Sequence, residues 1–410
     1  MNVLMLLYLK YPDIRVEKEV QTLTRHGFKV FVLASNDGTE KELETQGNLV
    51  IIRPKEWSQS QLWKIARYFW NGLDFLDSWL CAHAKKMIEQ YDIDAVHVHD
   101  LRLTKTGLAA AAQRKLPVIV DLHENYPAAI KEYTKDNSLK SVLRRITVDA
   151  YHRWYAYEKE MLTRADRIIT VTEEAKETIA ERCSLPPTKV TVVSNTEDIG
   201  SFTSIPIDAD ILRKYEGFKV ISYIGNFGRH RGIDTAIKAM PLLKNSHPDL
   251  KLVIAGGHDP CEPELHKLAK DLNVNDRVEF CGWISRQAVP SYMKASKIGL
   301  IPHAMTEHTE TTVPHKLFQY MTIGVPVAVS DCRPLARVVE DGRCGLVFKA
   351  GDEGSLAAGL DSVLADADSL KQWGDNATNI VHEKYNWEKD GQKLVDLYNE
   401  LAGRAVGGER

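Results

Sequence analysis

Apolar residues in the first half of the chain come in short runs, and between the runs they recur every three or four positions. Residues 3–9 form the first run; Val16, Val20 and Leu23 then mark one face of a helix that Gly27 ends. Further runs stand at 28–33, 50–52, 95–99, 117–122, 167–171 and 189–193. Such apolar runs predict strands buried on both faces, and their alternation with helical patterns predicts βαβ units on a parallel sheet. Residues 195–218, with Asp, Ser, Pro and Gly, read as an irregular linker. The pattern then restarts at 219–224, 251–255, 277–280, 298–301, 325–329 and 345–348. The expectation is the α/β class, with two doubly wound domains at 1–200 and 201–381. Ligands of such sheets bind beyond the carboxyl ends of the strands, and two facing sheets leave a cleft between them. Residues 223–232, 256–258, 282–284 and 302–314 are expected on one wall of that cleft.

Two stretches are less regular. In 59–86, Leu62, Ile65, Phe69, Leu73, Leu76 and Leu80 make a helical stripe, with Trp63 and Trp70 beside it. The tryptophans either widen the core face or sit at a membrane surface. Residues 131–153 carry Lys131, Lys135, Lys140, Arg144, Arg145 and Arg153, a basic face suited to anionic lipid or to plain solvation.

A chain of 410 residues with 44% hydrophobic content has ample material for two cores. The net charge of -3, spread evenly over both halves, does not suggest a nucleic-acid binder. Six scattered cysteines without a C-x-x-C pair argue for a reducing compartment and against a disulfide frame or structural zinc. No run of eighteen apolar residues exists, and the first nine residues are too short and lightly charged for a signal peptide. A cytoplasmic protein is expected, with the inner face of the membrane as a second location. No G-x-G-x-x-G follows the first strand, which argues against a dinucleotide-binding dehydrogenase.

Candidate chemistry concentrates in 310–331. Pro314 suits a first helical turn, Thr311 or Thr312 can cap it, and Leu317, Phe318 and Met321 supply an apolar face that Gly324 ends. His315 and Lys316 are out of place there, because a cation in the first turn opposes the helix dipole unless an anion binds. The alternative is a surface lysine on an ordinary helix. Gly225, Asn226, Phe227, Gly228, Arg229, His230, Arg231 and Gly232 follow the first strand of the second half; their glycines allow a tight turn, and Arg229 or Arg231 can reach an anion. Together with Lys316 they form a cationic clamp. Asp121, His123 and Glu124 end a buried strand, either as functional groups or as a capping cluster. His97 and His99 share one strand face, but without a third ligand nearby no metal site is predicted.

With these stretches in view, the chain resembles the retaining glycosyltransferases of family 4, whose GT-B fold sets two Rossmann-like domains face to face. The resemblance runs over nearly the whole length. It rests on RVEKEVQTLTRHGFKVFVLAS at 15–35, DLHENYP at 121–127, ADRIITVTEEA at 165–175, YIGNFGRHRGIDTAIKA at 223–239, VEFCGWIS at 278–285, VPHKLFQYMTIGVPVAVS at 313–330 and VVEDGRCGLVF at 338–348. It implies that His123 faces the donor sugar, that Arg231 holds the diphosphate, and that Gly282 and Trp283 lie at the nucleotide base. It places Glu310, Thr311, Thr312, Val313, Pro314 and His315 under the diphosphate and sugar, and Gln319 where the family has a glutamate bonding the ribose hydroxyls. It also implies that a C-terminal helix within 382–410 packs back on the first domain.

Departures are visible. The family's two glutamates stand eight positions apart, and here those positions hold Thr311 and Gln319, with Glu310 one residue early. Asn226 replaces the usual arginine of the phosphate loop, so Arg229 is a candidate substitute, and Asp13, Ile14 and Arg15 replace a glycine pair. The expected function is retaining transfer of a hexosyl or N-acetylhexosaminyl group from a nucleotide diphosphate sugar, UDP ahead of GDP, to a glycan or lipid-linked acceptor. The nucleotide sugar enters as substrate, with no cofactor and no metal, because Arg231 and Lys316 carry the charge a metal would. Two rivals remain: a non-hydrolysing nucleotide-sugar epimerase, and a non-catalytic nucleotide-sugar-binding subunit.

Overall fold

Each apolar run becomes a strand in the computed structural model, which describes every residue except 9, 37, 56–69, 134–141, 143, 145, 146, 258, 259 and 408–410. The chain divides into two compact units, Met1–Ser194 with Asp390–Arg410, and Asn195–Lys389.

The first unit holds β1 (Asn2–Leu6), β2 (Lys29–Leu33), β3 (Leu43–Gln46), β4 (Leu49–Ile52), β5 (Ala95–His99), β6 (Val118–Leu122), β7 (Arg167–Thr170) and β8 (Val190–Val192). Their order across the sheet is β3-β4-β2-β1-β5-β6-β7-β8. All pairings are parallel except β3 with β4. Leu4, Leu6, Val96, Val98 and Val120 pack with Trp154 and Met161 of the helix Tyr151–Arg164 to form the core. Burial of each such aliphatic side chain contributes about 1.5–3 kcal/mol. The helix Trp387–Gly407 brings Tyr398 into this unit, where its ring lies 5.6 Å from that of Phe28.

The second unit holds β9 (Lys219–Ile224), β10 (Leu250–Ala255), β11 (Val278–Gly282), β12 (Ile298–Ile301), β13 (Val327–Ser330) and β14 (Gly345–Phe348), ordered β11-β10-β9-β12-β13-β14. Every pairing is parallel. The order reverses between β9 and β12, so the loops leaving those two strands diverge and open a crevice at their carboxyl ends.

Several expectations change. Residues 195–218 are no irregular linker: the helices Ile199–Thr203 and Ala209–Lys214 lie there, capped by Asp198 and Asp208. The stripe through 59–86 is not one helix, since residues 70–74 are helical and the chain then turns at Phe75, φ 57, before a new helix Ser78–Gln90 begins under its Asp77 cap. Leu62, Trp63, Ile65, Phe69, Lys135, Lys140, Arg145 and His258 lie outside the described residues. Strand β3 was not foreseen because LETQ carries one apolar residue and no alternation. Neither Thr311 nor Thr312 caps the helix His315–Thr322. Their hydroxyls donate to the His308 carbonyl at 3.1 Å, and extended Pro314 stands at the cap.

Candidate active site

The helix His315–Thr322 is set by what its buried face meets. Leu317, Phe318, Tyr320 and Met321 are all within 1% of full burial. A Cβ on Gly299 of β12 would lie 2.5 Å from the Tyr320 ring, so only glycine lets the ring settle on the strand. The Tyr320 hydroxyl donates to the Ser222 carbonyl at 3.0 Å and lies 2.8 Å from the Ser222 hydroxyl on β9. With that face anchored, His315, Lys316 and Gln319, spaced three and four apart, share the other.

Lys316 reaches over β9. Its ammonium lies 3.5 Å from the centre of the Tyr223 ring, and a Cβ on Gly225 (φ 144) would sit 2.5 Å from it. The residue as a whole is half-buried, yet the ammonium is sealed from solvent and makes no hydrogen bond. Burial, aided by the nearby Arg231 guanidinium, pushes its pKa well below the usual lysine range. The alternative of a surface lysine is therefore set aside, because its charged end is inside.

Arg231 ends the short turn Arg229–Arg231 after β9, and Gly232 (φ 64) follows because a Cβ there would lie 1.8 Å from the Pro302 carbonyl. Arg231 Nη1 donates to His303 Nε2 at 3.3 Å. His303, fully buried, has its pKa held well below the usual value by burial first and by Arg231 and Lys316 next. It is therefore a neutral acceptor that fixes Arg231 without adding charge. His303 had no sequence signal beyond its place after β12.

The other predicted residues divide. Arg229 is exposed and paired with Glu264 at 2.7 Å, outward from this cluster. Asn226 is exposed, and its carbonyl accepts from the Tyr223 hydroxyl at 2.5 Å. Gly282 (φ 63) has open space at its Cα, and Trp283 beside it is 69% exposed. Glu310 accepts from the Arg333 N–H at 3.0 Å, so it serves the start of the next helix, Arg333–Gly342. The Val313 carbonyl accepts from Asn195 Nδ2 at 3.0 Å. Gln319 donates to Glu197 at 2.7 Å.

In the first unit, His123 stands just past β6 and is 22% exposed. Its Nε2 is 3.1 Å from Asp121 Oδ2 and 3.1 Å from His99 Nδ1, and its Nδ1 is 3.7 Å from Asp100 Oδ2. Burial opposes its charge, but Asp100 and Asp121 together raise its pKa to about 10. Asp100 is held at φ 66, ψ 151, a conformation costing about 1–3 kcal/mol that is seen mainly at functional sites. Beneath them Arg15 grips Asp121 with Nε at 2.9 Å and Nη2 at 3.0 Å, donates to the Val193 carbonyl at 3.0 Å, and lies 3.0 Å from Glu19. Burial raises the Glu19 pKa well above the ordinary range, and Asp121 raises it further. Glu19, His97, His99 and Asp121 could together ligate a cation, their donor atoms lying within 4.8 Å of one another. Arg15 already bridges both carboxylates, however, so a divalent ion would face a buried guanidinium. Arg15 and Glu19 were missed as site residues because their partners stand far away in sequence.

Two family models cover most of the chain. Residues 15–199 match Glycosyltransferase Family 4, and residues 204–380 match Glycosyl transferases group 1. This chain is a glycosyltransferase of the family 4 type, with the GT-B fold. It is 24% identical over 325 residues to phosphatidyl-myo-inositol mannosyltransferase of Mycolicibacterium smegmatis, covering 78% of this chain and 75% of that one. It is 24% identical over 322 residues to UDP-Gal:alpha-D-GlcNAc-diphosphoundecaprenol alpha-1,3-galactosyltransferase of Escherichia coli, covering 77% and 78%. Among solved structures, sucrose-phosphate synthase of Thermosynechococcus elongatus superposes with a TM-score of 0.79 at 18% identity, covering 98% of this chain and 99% of that one. At that identity the superposition speaks for the fold alone. Among the described residues of this glycosyltransferase, no helix is long and apolar enough to cross a membrane.

Proposed function

We propose that this glycosyltransferase moves a hexosyl or N-acetylhexosaminyl group from a UDP-sugar to a glycan or lipid-linked acceptor, with retention at the anomeric carbon. One observation carries the reading: a lysine ammonium sealed from water without a hydrogen-bond partner, beside a guanidinium, where the strand order of the second unit reverses. A buried cation in that state destabilises the free protein and is relieved by an anion. A diphosphate suits two cations held on separate elements. Its charge grows as it leaves, so Arg231 and Lys316 stabilise the transition state more than the ground state and do the work otherwise left to a metal.

In the reaction the bond from sugar C1 to the diphosphate oxygen breaks, and the acceptor oxygen bonds C1 from the same face. The acceptor proton passes to the departing diphosphate. His123, which the family resemblance assigns to the donor sugar, supports this proton route. With a pKa of about 10 it is an imidazolium near neutral pH, able to donate to a sugar oxygen but not to act as base. The Escherichia coli relative, named for a UDP-sugar donor and a diphosphoundecaprenol acceptor, supports both UDP and a lipid-linked acceptor. Trp70, 72% exposed, and Lys131 suit contact with a membrane face, whereas Arg144 pairs with Asp149 and Arg153 bonds backbone carbonyls.

The test is turnover of a UDP- and GDP-sugar panel with lipid-linked and free glycan acceptors, following released nucleotide. The expected result is one UDP-sugar consumed only with acceptor, and Arg231→Ala slower by about tenfold or more in kcat/KM. Epimerisation of donor without acceptor, or binding without turnover across the panel, would overturn the reading.

A further inference from the structure

Gln319 stands where the family resemblance places a glutamate, and an acid is nevertheless present nearby. Glu197 lies in the same unit, 4% exposed, and its Oε2 accepts from Gln319 Nε2 at 2.7 Å across 122 positions of sequence. Glu197 is itself fixed: its Oε1 accepts from the Asp198 N–H at 3.1 Å, and its carbonyl accepts from the Trp387 N–H at 3.0 Å. A carboxylate only accepts, so the amide must turn its NH2 toward Glu197. Gln319 Oε1 is then left as an acceptor with no hydrogen bond among the described residues.

We propose that Glu197 is a positioning residue that converts the Gln319 amide into an acceptor-only group reading the ribose hydroxyls of the donor. The inference rests on the nucleotide-sugar reading above. Gln319 lies on the face of His315 and Lys316, one helical turn or roughly 5.4 Å along the axis from the diphosphate grip. A hydroxyl pair on the sugar next to a diphosphate falls at that spacing. An acceptor oxygen welcomes two hydroxyl donors, whereas a freely flipping amide would present its NH2 half the time. The buried acid thus does from a distance what the resemblance assigns to an acid at position 319.

The pair can be inverted. Gln319→Glu alone sets two carboxylates against each other and should raise the Kd for UDP about tenfold or more. Glu197→Gln alone removes the orienting charge and should shrink the preference for UDP over 2′-deoxy-UDP by several-fold, with Tm little changed. The double variant Glu197→Gln with Gln319→Glu restores one acid and one amide, and should recover both affinity and preference. The readout is calorimetric Kd for UDP and 2′-deoxy-UDP. A merely structural Glu197 would change Tm but leave the ribose preference intact, and that result overturns the inference. Wild-type protein that binds no nucleoside diphosphate would overturn the functional reading along with it; UDP binding with an unmoved preference would sink only the role of Glu197.

Discussion

The two units hold buried charge in opposite ways. In the first, Arg15 sits between Asp121 and Glu19, and Asp121 in turn pairs with His123, so the cations Arg15 and His123 meet a carboxylate within the protein. In the second, Arg231 bonds neutral His303, and the nearby Lys316 ammonium makes no hydrogen bond among the described residues. A closed network spends its electrostatics on holding a side chain still, here His123. An open one would be completed by the proposed donor diphosphate. The difference separates positioning from binding among residues that look equally polar in the chain.

Removing a cation should therefore have opposite consequences in the two places. Arg15→Met strands buried Asp121 and should cost about 3–5 kcal/mol of stability, read by urea unfolding. Lys316→Met removes a buried amine that makes no hydrogen bond among the described residues, so the ligand-free protein should melt no lower than wild type. The same variant should lose about 1.5–3 kcal/mol of UDP binding by calorimetry. If Arg15→Met is benign, or Lys316→Met unfolds the protein, the contrast is broken.

The pH dependence sharpens it further. Lys316 has a folded pKa below the ordinary 10.5, so the unfolded chain binds more protons between the two values, and this group makes stability rise with pH there. His123 has a folded pKa of about 10 against the usual 6.5. Its contribution is full below about 6.5 and is lost as pH rises toward 10. Relative to wild type, Lys316→Met should steepen the alkaline fall in stability and His123→Asn should flatten it, both followed by urea unfolding from pH 6 to about 10. UDP binding should also take up protons in wild type and less in Lys316→Met, measured in buffers of differing ionisation enthalpy. The smallest effect belongs to Lys251, whose ammonium lies 4.1 Å over the Phe218 ring away from either cluster. Lys251→Ala should cost about 0.5–1 kcal/mol of stability and leave kcat/KM unchanged.

Much of this organisation is written in local pattern. Strands β5, β9 and β12 begin and end where their mostly apolar runs do, because strands buried on both faces draw on mostly apolar residues. Lys316 stood out because a cation at a helix start conflicts with the dipole, a conflict visible within one turn of chain. Edge strand β3 escaped because its LETQ stretch, with one apolar residue and no alternation, carries no strand pattern.

What the chain could not announce is every partner chosen across long separations. Arg15 meets Asp121 across 106 positions, Gln319 meets Glu197 across 122, and His97 meets Tyr398 across 301. Nothing within a few residues of Glu197 marks it as a companion of Gln319; the sheet order and the anchoring of Tyr320 on Gly299 bring the two within 2.7 Å. Periodicity and composition are sums over neighbours in sequence, and they determined the α/β class, the two-unit plan and the glycine-linked cations. Hydrogen bonding and charge compensation depend on neighbours in space, so only the folded protein decided which of its buried charges are satisfied and which are not.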